Sequence, residues 1–72
     1  MKQDEHGNYI ELGDFLKFIG IAPTGGQAKI FIRAGVILVD GKIETQVRKK
    51  LRNGMIVEYD GKKFAVDETK LK

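Results

Sequence analysis

Arg48-Lys49-Lys50-Leu51-Arg52 places four cations in five residues, with Leu51 as their only apolar anchor. Such a run neutralises phosphates, and each contact adds to the salt dependence of binding. A solvated loop would carry the same residues. A second group stands at Thr24-Gly25-Gly26-Gln27. Threonine with glutamine three residues later is a capping-box pattern, so a helix should begin here. A helix N-terminus offers unpaired amides and the positive end of the dipole, which suits phosphate. Gly25 and Gly26 leave that end without Cβ atoms, so a ribose-phosphate backbone could come close. Two such glycines are otherwise unfavourable by up to ~1 kcal/mol each relative to alanine. At roughly 100° per residue, Lys29 and Arg33 extend the same face. A flexible corner with two exposed basic residues would read alike. Lys42, just past Asp40-Gly41, could also reach phosphate, although hairpin tips often carry lysine for solubility alone.

Other chemistries lack their parts. The chain has no cysteine, no serine and a single histidine, His6, in a polar start. Catalytic triads, thiolate metal sites and haem ligation are therefore not expected, nor is any cofactor, metal or small-molecule substrate. The G-x-x-x-x-G-K-[ST] pattern of a P-loop is absent. Glu11 and Asp14 fit acids placed for a helix dipole rather than an acid/base pair. The chain reads as a non-enzyme.

The net charge of +3 is unevenly spread over the 72 residues. Residues 1–14 set Lys2 against Asp4, Glu5, Glu11 and Asp14. Residues 15–52 set eight cations against Asp40 and Glu44, while residues 53–72 balance four lysines with four acids. So basic a middle points to a polyanion, nucleic acid being the commonest, with a solvated lysine face as the open alternative. No apolar run approaches the ~18 residues of a membrane span, and the first twenty residues do not form a signal peptide.

The elements that must position these groups follow from periodicity. Leu12, Phe15, Leu16 and Ile19 make one helical stripe, closed by Gly20 and Pro23, which predicts a helix over about 12–19. The second helix spans about 24–34, with Ala28, Phe31 and Ile32 on one face and Gly35 at its end. Phe18 lies off the first stripe. It could stack on a base, but a second-face core contact is favoured. Val36 to Val39 then reads as a strand, turned by Asp40-Gly41 into Lys42-Ile43-Glu44. Asn53-Gly54 and Asp60-Gly61 turn the chain into Met55–Tyr59 and Lys62–Val66. The expected layout is α+β: two N-terminal helices packed on one face of a small antiparallel sheet with tight hairpin turns. Residues 1–8 read as a frayed start, 9–66 as the domain, and 67–72 as a short charged tail. Tyr9 and Ile10 fit a short strand or a packing lead-in.

In order, Leu12-x-x-Phe15-Leu16-Lys17, Thr24-Gly-Gly-Gln-Ala28-Lys29, Gly35-x-x-x-Val39-Asp-Gly-Lys42 and Lys50-Leu51-x-x-Gly54-Met-x-Val57 resemble the RNA-binding domain typified by small-subunit ribosomal protein S-four, the αL motif. The resemblance covers about residues 9–60 and is strongest to small stand-alone bacterial members. It implies a monomeric, cytoplasmic, bacterial protein that binds structured RNA, with ribosomal or transfer RNA and ribosomal particles as candidate partners. It also implies an RNA surface of Thr24, Gly25, Gly26, Lys29 and Arg33 with Lys42, Arg48, Lys49, Lys50 and Arg52. Larger relatives usually carry arginine or lysine just after the cap, where this chain has Gly25-Gly26, and asparagine where it has Asp40. The rival reading is an adapter that docks its basic face on an acidic protein partner.

Overall fold

The computed structural model describes residues 1–71. The chain begins with strands: β1 (Lys2–Asp4) and β2 (Gly7–Glu11) precede α1 (Leu12–Phe18) and α2 (Gly25–Arg33). Then come β3 (Ile37–Val39), β4 (Lys42–Ile43), β5 (Lys50–Leu51), β6 (Ile56–Tyr59) and β7 (Lys62–Ala65). The expected arrangement, two N-terminal helices followed by one sheet, is therefore incorrect. There are two antiparallel sheets, ordered β1-β2-β5 and β4-β3-β6-β7.

The physical reason lies in what holds the first hairpin. Lys2-Gln3-Asp4 has no apolar alternation to mark it as a strand. Its ladder sets Lys2 opposite Tyr9 and Asp4 opposite Gly7, the latter at φ 110°. β2 then pairs with β5, Ile10 opposite Leu51 and Glu11 opposite Lys50. The segment expected to fray is thus held by ladder bonds and by charge, neither of which leaves a hydrophobic period.

Both helices end on glycine for a stated reason. Gly20, at φ 82°, donates to the Lys17 carbonyl at 3.2 Å while Ile21 donates to Leu16 at 3.1 Å, a Schellman motif. Gly35, at φ 77°, donates to Ile32 at 3.2 Å. Asp40 and Gly41 have φ 50° and 83°, and Asp60 and Gly61 have 53° and 76°. Successive positive φ values match the twist of tight two-residue hairpins.

One core joins everything. Leu12, Phe15 and Leu16 from α1, Ile32 from α2, Ile37 and Val57 from the larger sheet and Leu51 from the smaller are all under 2% exposed. Each such burial contributes about 1.5–3 kcal/mol relative to exposure. Leu51 therefore anchors the basic segment to the core. Phe18 is not the core contact expected of it, because it is 54% exposed. In the segment expected to be a tail, Leu71 is buried beside the core, while Lys72 lies outside the described residues. No helix among the described residues is long and apolar enough to cross a membrane.

Candidate nucleic-acid interface

Thr24 has an extended backbone, and its hydroxyl accepts a hydrogen bond from the Gln27 amide at 3.2 Å. That is one half of the expected capping box; the reciprocal bond from the Gln27 side chain is not made. Gly25 and Gly26 follow, both exposed, neither at positive φ. A Cβ on Gly25 would meet nothing within 4 Å, and one on Gly26 only the Thr24 hydroxyl at 3.8 Å. Neither backbone conformation nor internal packing asks for glycine here. Lys29 and Arg33 are exposed further along α2, and the first turn holds no acid.

Lys42 opens β4 behind a turn that Asp40 fixes. The Asp40 carboxylate accepts from the Ile56 amide at 2.9 Å, and its own amide donates to the Ile56 carbonyl at 2.8 Å. The aspartate thus locks the β3–β4 hairpin onto β6.

Beyond β4, the loop carrying Arg48 and Lys49 is held against the start of α1. The Leu12 amide donates to the Lys49 carbonyl at 2.9 Å, and Gly13 to the Val47 carbonyl at 3.0 Å. First-turn amides of α1, which have no partner inside the helix, are thereby satisfied by the basic loop. Gly13 permits this approach: a Cβ there would lie 3.1 Å from Val47 Cγ1. Arg48 is exposed and Lys49 half-buried on this fixed backbone.

Lys50 and Arg52 are placed differently. The Asp4 carboxylate accepts from Arg52 through Nη1 at 3.1 Å and Nη2 at 2.8 Å, and from Lys50 Nζ at 2.9 Å. The His6 amide adds a bond at 3.0 Å, and Arg52 Nη1 also reaches the Gly7 and Asn8 carbonyls, each at 3.4 Å. Both cations lie over the Tyr9 ring, at 4.9 Å for Lys50 and 5.7 Å for Arg52. Arg52, then Lys50, hold the Asp4 carboxyl well below the usual carboxylate range, and Asp4 in turn raises Lys50. These two cations staple β5 to the first hairpin. Lys29, Arg33, Lys42, Arg48 and Lys49 form no ion pair among the described residues; Lys17 pairs with Asp14. No group of acids and histidine suited to a metal is present among the described residues.

Nothing in the sequence marks Asp4 or Gly13 as part of the site, and Tyr9 reads there only as a short strand or packing lead-in, the strand being β2. The family model of the S4 domain matches residues 4–67, starting at Asp4 itself. The chain belongs to the S4 domain family. The match extends the resemblance at both ends and takes in β2, the turn before it and Asp4 at the end of β1. A relative from Escherichia coli, "Putative RNA-binding protein YbcJ", is 43% identical over 53 residues, covering 74% of this chain and 76% of that protein. Another from Bacillus subtilis, "Probable ribosome maturation protein RlbA", is 36% identical over 52 residues, covering 72% and 73%.

The depressed Asp4 titration has a defined consequence for this S4 domain. A carboxylate with a lowered folded-state pKa stabilises the fold above its unfolded value, near ~3.9, and loses that contribution as pH falls further. Asp4→Asn should therefore lower the urea midpoint at pH 7, with the gap to the parent narrowing below pH ~4. A gap that is constant from pH 7 to 3 would mean that the Asp4 charge does not hold the hairpin.

Proposed function

We propose that this protein binds structured RNA, with ribosomal RNA, in or on its way into a ribosomal particle, as the favoured partner and transfer RNA as the other candidate. One observation carries the reading. Five cations on α2, the β3–β4 hairpin and the loop before β5 have no ion pair among the described residues, and they share a segment with a helix start stripped of Cβ atoms. The names of the two relatives support the partner class.

In this reading Thr24, Gly25 and Gly26 present the α2 amides to a phosphate. Lys29, Arg33, Lys42, Arg48 and Lys49 neutralise further phosphates, and Lys50 and Arg52 act as positioning residues through Asp4. Recognition is by shape and phosphate geometry, because the sequence has no aromatic RNP-type motif for stacking single-stranded bases. The protein performs no chemistry on its RNA and works in the cytoplasm as a monomer.

Binding to a hairpin RNA, measured across a salt series, tests the reading. Four to six phosphate contacts should give a slope of log K against log salt of roughly −3 to −5. A flat response between low and moderate salt would refute the electrostatic mechanism. Crosslinking in cells and sequencing the bound RNA would separate ribosomal from transfer RNA. Absence of RNA from the crosslinked protein would favour the acidic-partner adapter.

A further inference from the structure

Ile30 and Ile43 are 60% and 65% exposed, the most exposed large apolar side chains among the described residues, and Val36 is 42% exposed. All three belong to the stretch that carries the free cations. Ile30 stands four residues after Gly26 and three before Arg33, so on α2 it continues the line of the bare first turn. Ala34, four residues on, is exposed and continues that line. Next to it, a Cβ on Gly35 would lie 3.8 Å from Ile43 Cγ2. An apolar strip therefore runs from the start of α2 to β4. Lys29 and Arg33 border it along one side on α2, and Lys42 precedes Ile43 on β4. The nearest acid in sequence, Glu44, is engaged locally, accepting from the Gln46 amide at 3.1 Å.

Packing within the chain does not account for these isoleucines. On the solvent side of α2 the β-branched Ile30 gains little burial and loses χ1 freedom, while Ile43 has the branching that suits a strand but leaves most of its surface in solvent. We infer that the strip docks against the ribose edge of a duplex RNA minor groove while the flanking cations hold the bordering phosphates. The inference rests on the RNA-binding reading and names the surface which that reading leaves unspecified. The minor groove of A-form RNA is wide and shallow and displays ribose and 2′-hydroxyl groups, whereas its major groove is too deep and narrow for side chains. A low, apolar ridge bordered by cations is complementary to the former. A protein partner fits less well, since the centres of protein interfaces are depleted in lysine, and Lys29 borders the strip on α2.

The test uses the full chain, an RNA hairpin with a stem of about 16 base pairs, and a DNA duplex of the same sequence. Ile30→Ala/Ile43→Ala should lose roughly tenfold in RNA affinity with the salt slope unchanged, because contact area and no charge is removed. Its weaker DNA binding should hardly move. Ile30→Met/Ile43→Met, which keeps apolar surface, should retain RNA affinity, and circular dichroism melts of both variants should match the parent. Parent-like RNA affinity in the alanine variant, alongside a clear loss in Lys29→Ala/Arg33→Ala, overturns the strip and leaves it to a protein partner. Equal losses on RNA and DNA overturn the ribose contact. Undiminished RNA binding in the isoleucine and cation variants alike places the contact outside this face and overturns the strip, whereas no measurable RNA binding by the parent chain removes the RNA reading itself.

Discussion

Gly26→Glu should leave the domain folded and weaken its binding to a hairpin RNA by about tenfold or more. The estimate follows from where the carboxylate would stand. In the first turn of α2 it would replace an amide-lined approach with bulk and negative charge. A carboxylate about 5 Å from a phosphate opposes it by roughly 1–3 kcal/mol, across effective dielectrics from bulk water to a protein surface. Folding should not suffer, because acids suit a helix N-terminus and a Cβ at Gly26 meets only the Thr24 hydroxyl, at ordinary contact distance. Gly25→Ala/Gly26→Ala sharpens the comparison. Alanine should stabilise the helix by up to ~1 kcal/mol per site, since nothing in the fold requires glycine, yet it should still reduce affinity by crowding the phosphate. Thermal melting and RNA titration would thus move in opposite directions. A glutamate variant that binds as tightly as the parent would remove the start of α2 from the interface.

The same logic explains what was legible in the sequence. Leu12, Phe15 and Leu16 announce α1 because a helix buried on one side must repeat its apolar residues, and Gly20 and Gly35 announce the stops because left-handed caps exclude most side chains. The first hairpin left no such trace. It is held by its ladder bonds and by Asp4, which accepts from Arg52 and Lys50, residues 48 and 46 positions away, and charge pairing has no period to read. The one available hint was regional: a segment of net −3 precedes one of net +6. A wholly free basic face would show the same contrast. Part of it is consumed inside the molecule, which is why Lys50 and Arg52 look like ligands in the sequence and like struts in the structure. β5 was hidden for a related reason, since a two-residue strand with one buried side chain cannot show alternation. Gly13 was invisible too: its need for glycine is set by Val47, which the chain brings back from more than thirty residues away.

Once the struts are separated from the free cations, the interface can be located by position rather than by charge total. Lys29→Ala/Arg33→Ala and Arg48→Ala/Lys49→Ala should each weaken RNA binding roughly tenfold or more near physiological salt. Each should also make the salt slope shallower by about one to two units, as expected when two phosphate contacts are lost. Lys62→Ala/Lys63→Ala is the matched control. Those lysines are exposed and likewise form no ion pair among the described residues, so the control removes the same charge from equally free side chains. They differ in place: β7 is one edge of the larger sheet, whereas β4, which carries Lys42, is the other. A diffuse cationic cloud would respond alike to all three pairs, while a defined face responds to the first two. Stability should change by no more than ~0.5 kcal/mol for such surface substitutions, so any difference in affinity reports on the interface. Had Lys50 and Arg52 been mutated instead, loss of binding would be confounded with release of the first hairpin from Asp4. An equal loss in the Lys62/Lys63 variant would mean that the domain attracts RNA through its net charge alone, without a face.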